Sequence, residues 1–444
     1  VRRMRVPSLA AAIAATAIMF VAPAGATTIE RVVSPGGIEA WLVHERAVPL
    51  IAVQFAFAGG AVQDPAGKAG TATLTASLLD AGAGDLDSTA FSDRLERRAI
   101  QMSFSAQRDT ILGTMRTLTE NRDEAFELLR LAVTTPRFDA KDAEISRAQI
   151  LSLLRRETTS PTDIASRRWW ETAFEGHPYG RPVNGTPETV SSISIADLKS
   201  YTHRVLARQN LKIAVVGDID AETLKVLLDR TFGALPEKAE LFPIANVAPR
   251  GLGRRIEVSL DVPQTVVDFG GPGIPRQDPD FMAAYLVNHI LGGGSTDSRL
   301  YQEVREKRGL AYSVSDNLVW LDHASVLLGG TATRADRAGE TVDLIEKEIH
   351  HFADDGPTAG ELMEAKRYLN SAFVLNLDSS TKIAGLLVQL QLDGFGTDYF
   401  SRRSAMIEAV SLDDARRVAK RLLDKGLLVT VVGKPQGFAS SKPN

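Results

Sequence analysis

The chain has 444 residues, 44% of them apolar and 24% charged, and carries a formal net charge of −4. This length and balance fit two large globular domains, each able to bury a core without staples. The charge offers no bulk attraction to nucleic acid, and the absence of cysteine excludes disulfides, cysteine nucleophiles and cysteine metal ligands.

The chain opens with a basic start at Arg2, Arg3 and Arg5, an apolar run from Leu9 to Val21, and small residues at Ala24-Gly25-Ala26. That pattern predicts a secretory signal over residues 1–26, with a periplasmic mature chain beginning near Thr27; an uncleaved anchor is the alternative. Residues 50–57 alternate loosely and predict a half-buried strand broken by Gly59-Gly60. A helix is predicted from Gly70 to Leu79. Another is predicted from Ala140 to Glu157, burying a face with Ile145, Ala148, Leu151, Leu153 and Leu154. Leu211 to Val216 is apolar and β-branched, a strand signal. Prolines and glycines between Ala239 and Gly253 mark a linker.

Landmarks then recur. Pro49, Phe55 and Asp64-Pro65 return as Pro263, Phe269 and Asp278-Pro279, shifted by 214 positions, and Val215-Val216-Gly217 returns as Val431-Val432-Gly433. A similar helix precedes each of these last segments, Ile193-Ser194-Ile195-Ala196-Asp197-Leu198 and Val410-Ser411-Leu412-Asp413-Asp414-Ala415. A repeat this long means duplicated domains, not a solenoid. Strands mixed with helical runs make each domain α+β, a mixed sheet packed with helices. The expected boundaries are residues 27–240, a linker at 241–253, and residues 254–437.

Four stretches carry a family resemblance: Gly70 to Gly82, His177-Pro178-Tyr179-Gly180-Arg181-Pro182-Val183-Asn184-Gly185-Thr186, Asn210 to Asp218, and Leu291 to Tyr312. With the repeat, they make the chain similar to the pitrilysin/insulinase family of zinc peptidases, in its processing-peptidase-like branch, over nearly all of residues 30–435. Catalytic members of that family carry an inverted motif, H-x-x-E-H, whose paired histidines share a helix face and bind zinc while the Glu activates water. The resemblance places Thr73, Ala76 and Ser77 at those positions, and Leu153 at the family's third ligand, a Glu on a later helix. Hydroxyls are poor neutral zinc donors, and Ala and Leu cannot coordinate at all. The expectation is therefore no metal and no cofactor in this chain.

Nothing else in the sequence replaces that site. No two of the seven histidines stand four apart with a Glu between them. His350 and His351 read as a solvated face, His177 as a turn-stabilising residue and His289 as a satisfied core histidine. There is no G-x-S-x-G elbow, and Gly292-Gly293-Gly294-Ser295 lacks the Lys-Ser/Thr ending of a phosphate loop.

The resemblance implies that Arg305 and Tyr312, seven residues apart, form a substrate-gripping pair, and that Gly292, Gly293 and Gly294 form a mobile loop at a substrate chamber. From the residues alone, Arg305 reads equally as part of an ion-pair cluster with Glu303 or Glu306, Tyr312 as the first residue of a strand, and the glycines as a simple turn. Arg308 competes for the Arg role. The resemblance further implies a heterodimer: a catalytic pitrilysin-family partner supplies zinc and the base, and this chain binds peptide substrates without nucleic acid or membrane. The alternative is a non-proteolytic peptide-binding or scaffold protein of the same fold.

Overall fold

The computed structural model describes residues 28–441 apart from Ser295 and Asn376; the expected signal segment lies outside the described residues. The first half contains strands β1 (Glu30–Val33), β2 (Glu39–His44), β3 (Leu50–Ala58), β4 (Gln101–Ala106), β5 (Thr110–Leu118) and β6 (Leu211–Gly217). Its helices are α1 (Thr71–Ala76), α2 (Ser88–Arg97), α3 (Arg122–Thr134), α4 (Ala140–Glu157), α5 (Pro161–Ala173), α6 (Pro187–Ser192), α7 (Ile195–Val205) and α8 (Ala221–Phe232). The second half contains β7 (Arg255–Ser259), β8 (Gln264–Pro272), β9 (Ala311–Trp320), β10 (Ser325–Arg334) and β11 (Leu428–Gly433). With these strands go α9 (Phe281–Leu291), α10 (Ala338–Asp355), α11 (Ala359–Leu375), α12 (Ser380–Leu392), α13 (Tyr399–Glu408) and α14 (Leu412–Leu423).

The two sheets repeat one topology. The first runs β1-β2-β6-β3-β5-β4 and the second β7-β11-β8-β10-β9, so the second matches the first without its outer strand. In both, one parallel pair (β2 with β6, β7 with β11) joins antiparallel neighbours. The repeated Phe has a physical reason. Phe55 pairs with Gly113 and Phe269 with Gly329, and a Cβ on either glycine would lie 2.1 or 2.4 Å from the opposing ring. Each ring therefore lies across a neighbouring strand where only glycine leaves room. The matched helix starts are both capping boxes, Ser194 with Asp197 and Ser411 with Asp414.

The halves are joined by an exchange of helices. α5, from the first half, packs on β8 and β11 of the second sheet; α12, from the second half, packs on β3 and β6 of the first. Each helix donates one buried side-chain N–H to a central strand of the opposite sheet. Trp169 Nε1 donates to the carbonyl of Leu428 at 3.1 Å, and Gln391 Nε2 to that of Ile213 at 2.9 Å. Trp41, Val43, Ala56, Ala214 and Val216 thereby join a core shared with Leu387 and Val388 of α12. Trp169, Trp170 and Phe174 form another core with Val326 and Leu428. Each such aromatic removes on the order of 150–250 Å² from water, worth roughly 4–6 kcal/mol before entropy. Exposed ion pairs contribute at most about 1 kcal/mol each. Apolar exchange, then, holds the halves together.

Two expectations are corrected. The first predicted helix ends at Ala76, not Leu79. The helix over Ala140–Glu157 buries Ala143, Ser146, Ile150 and Leu154, while Ile145 is 48% exposed and Ala148 is exposed. The true face follows i, i+3/i+4 spacing from Ala143, and Ile145 falls off it. The linker segment is strapped down at several points: Phe242 N donates to Gln63 Oε1, Val247 N to the His323 carbonyl and Arg250 N to the Ala173 carbonyl.

Asp268 occupies the position matched by Gln54, on the sheet face covered by α5. It accepts no hydrogen bond among the described residues, and burial pushes its carboxyl up to about 7 from the ordinary 3.8. The folded state therefore holds this proton more tightly, so its contribution is most favourable below pH 4 and is lost as pH rises toward 7. Asp268→Asn is expected to raise the urea midpoint at pH 8 and leave it nearly unchanged at pH 4; equal shifts at both pH values would contradict this.

Candidate functional site

α1 is positioned by a buried carboxylate. Asp64 accepts from the backbone N–H of Gly70 and of Ala72, each at 2.8 Å, holding the open end of the helix. On α1, Thr73 donates its hydroxyl to the Val183 carbonyl at 2.8 Å, Ala76 is buried, and Ser77 is exposed with its hydroxyl turned back to the Leu74 carbonyl at 2.9 Å. Leu153 is half-buried on α4. One turn further, Glu157 accepts from Asn184 Nδ2 at 3.0 Å. These residues do not fit zinc. Both hydroxyl protons are committed to carbonyls, two positions carry no donor, and the nearby carboxylate is tied to a loop. Among the described residues no three His, Cys, Asp or Glu side chains gather as a metal site would require.

The structure brings Arg305 and Tyr312 together. A π-helical turn, Tyr301–Glu306, leads into β9 and sets the Arg305 guanidinium 5.2 Å from the Tyr312 ring centroid and 4.8 Å from that of Tyr301. Glu306 lies 3.5 Å from the same guanidinium. Tyr312 is the second residue of β9 and is 83% exposed. Arg308 is engaged elsewhere, donating to the carbonyl and carboxylate of Glu303.

The glycine run serves close approach. A Cβ on Gly292 would lie 2.8 Å from the Asp316 carboxyl, and one on Gly293 would lie 2.6 Å from the His289 Cα. Neither these two nor Gly294 lines the principal cavity. His289 is half-buried and stacks on Tyr368 at 4.7 Å, with no hydrogen bond among the described residues. Ring stacking thus replaces the satisfied polar site expected of it.

A cavity of about 890 Å³ lies between the halves, walled by the β4–β5 turn, Trp170 of α5, the β9–β10 turn and one side of α12. Its floor is a polar knot that sequence reasoning missed. Tyr179 donates its hydroxyl to Asp109 at 2.8 Å and accepts the His323 backbone N–H at 3.0 Å, while the Asp322 N–H reaches the second Asp109 oxygen at 3.1 Å. Burial pushes both Asp109 and Tyr179 upward, while the hydrogen bond between them draws Asp109 back down. The rest of the His-Pro-Tyr-Gly run supports this knot. His177 accepts from Tyr179 N at 3.2 Å and meets the Ala245 carbonyl at 2.9 Å, while Arg181 donates to the Asp64 and Val62 carbonyls. The run was visible in sequence; Asp109, in an ordinary turn between two alternating strands, was not.

Comparison with known proteins agrees with this geometry. Residues 192–369 match the family model described as the peptidase M16 inactive domain. A crystal structure of a peptidase M16 inactive domain from Pseudomonas fluorescens superposes with a TM-score of 0.86 at 26% identity, covering 94% of this chain and 99% of that one. The chain is similar to the M16 peptidase family, by this model over 192–369 and by fold over nearly its whole length. An uncharacterized zinc protease of Mycobacterium bovis is 27% identical over 428 residues, 95% of this chain and 96% of its own length. A non-peptidase homolog of Helicobacter pylori is 26% identical over 324 residues, 72% of this chain and 74% of its own.

Tyr179→Phe keeps the ring packed on Phe174 and removes the donor from a buried carboxylate. Leaving such a group unmatched costs about 1–3 kcal/mol, so urea unfolding should show a loss of that size. Wild-type stability in this variant would show that the knot does not hold the halves.

Proposed function

We propose that this chain is the substrate-binding subunit of a periplasmic heterodimeric zinc peptidase, whose partner carries H-x-x-E-H and supplies zinc and the water-activating base. The observation that carries the reading is the pairing of an α1 without ligands with an Arg305–Tyr312 pair that is assembled and open to solvent. The guanidinium lies within cation–π distance of two phenol rings, while the exposed Tyr312 hydroxyl remains a directional donor. Such a pair grips a peptide carbonyl or carboxylate and orients the chain across the partner's site. The extended domains expected at 27–240 and 254–437 form this subunit's share of the chamber wall. Among the described residues no helix is long and apolar enough to cross a membrane.

The second reading, a peptide-binding or scaffold protein without any peptidase role, is favoured by the cavity between the halves, which needs no partner to exist. Mixing the purified chain with an H-x-x-E-H subunit from the same periplasm separates the two. The first reading expects peptide hydrolysis well above that of either chain alone, and a roughly ten- to hundredfold fall in kcat/KM for Arg305→Ala, the effect of losing a charge-assisted hydrogen bond. Peptide retention with no rise in hydrolysis would favour the second.

A further inference from the structure

The cavity between the halves contains a cation with no hydrogen-bond or ion-pair partner among the described residues. Gly60, at φ +47, lets the β4–β5 turn lie directly on the backbone: its Cβ would fall 2.3 Å from Thr110 N and 2.6 Å from the Arg108 carbonyl. Ala61 N and Val62 N then donate to the Gln107 and Arg108 carbonyls, fixing the turn. This lays the Arg108 guanidinium on the Trp170 indole at 3.7 Å, and Trp170 stacks in turn on Phe174 at 5.3 Å. Burial lowers Arg108 only to about 10, so it stays cationic at neutral pH. Among the described residues its guanidinium has no hydrogen bond and no ion pair. Asp109, the neighbouring acid, has one oxygen filled by the Tyr179 hydroxyl and the other by the Asp322 N–H.

Two side-chain amides that also line the cavity, Gln54 and Gln107, likewise have no hydrogen-bond partner among the described residues. A forked, stacked guanidinium matches a carboxylate, and free amides match peptide units. The volume lies within the range of small-ligand pockets. Asp322, which also lines the cavity and has no side-chain partner among the described residues, disfavours ligands bearing a second negative charge. We propose that this cavity binds short peptides by their C-terminal carboxylate, with Arg108 on Trp170 as the anchor and Gln54 and Gln107 reading the adjoining amides.

This rests on the peptide-binding reading but not on a catalytic partner, so it is tested on the full chain alone. Equilibrium dialysis against mixed-sequence tripeptides, half with free and half with amidated C-termini, is read by mass spectrometry, with propionate as a carboxylate lacking amides. Free-acid peptides should be retained at least tenfold over their amides. Arg108→Gln, matched to the wild type by thermal melting, should bring the two within twofold, and propionate should bind at least tenfold more weakly than the peptides. Equal retention of acids and amides, or no retention of either, overturns the proposal whether or not a partner activates hydrolysis. Propionate binding as tightly as the peptides overturns the peptide assignment in favour of small organic acids.

Discussion

Two helices, each lying on the sheet of the opposite half, constrain everything else in this molecule. α5 and α12 are counterparts in the repeat, and each reaches a central strand carbonyl of the other half through one buried N–H. Separating the halves would expose Trp169, Trp170 and Leu387 to water and strip both carbonyls of their donors. The cost of that exposure exceeds anything the surface ion pairs could return. The cavity between the halves is accordingly a fixed feature of one chain.

Much of this was legible in the residues, because the repeat leaves a mark wherever backbone geometry is demanding. Phe55 and Phe269 recur because each lies over a glycine, and Gly217 and Gly433 recur because both end a central strand at nearly the same positive φ, +149 and +150. The capping serines recur for the same kind of local reason. The helix exchange left no such mark. α5 and α12 are amphipathic in an ordinary way, and a helix's periodicity says which face is apolar without saying whose sheet receives it. Asp109 and Arg108 were missed for a related reason: a charged turn between strands looks solvent-facing until a second hairpin arrives from two hundred residues away.

The altered α1 shows how a catalytic position can be lost while its scaffold persists. Asp64 still caps the helix, and the loop containing Val183 still packs against it, now through the Thr73 hydroxyl. Small residues at these positions close the helix onto its surroundings, where imidazoles would project toward an ion. The Arg305 guanidinium and the exposed Tyr312 ring lie 5.2 Å apart. A cation–π contact this exposed contributes little to stability.

The central claim is that Thr73, Ala76, Ser77 and Leu153 cannot hold a catalytic ion. Equilibrium dialysis of the purified chain against zinc, with metal content read by mass spectrometry, tests it most directly. Well under one zinc per chain is the predicted result. One zinc per chain, lost in a Thr73→Ala/Ser77→Ala variant, would contradict it.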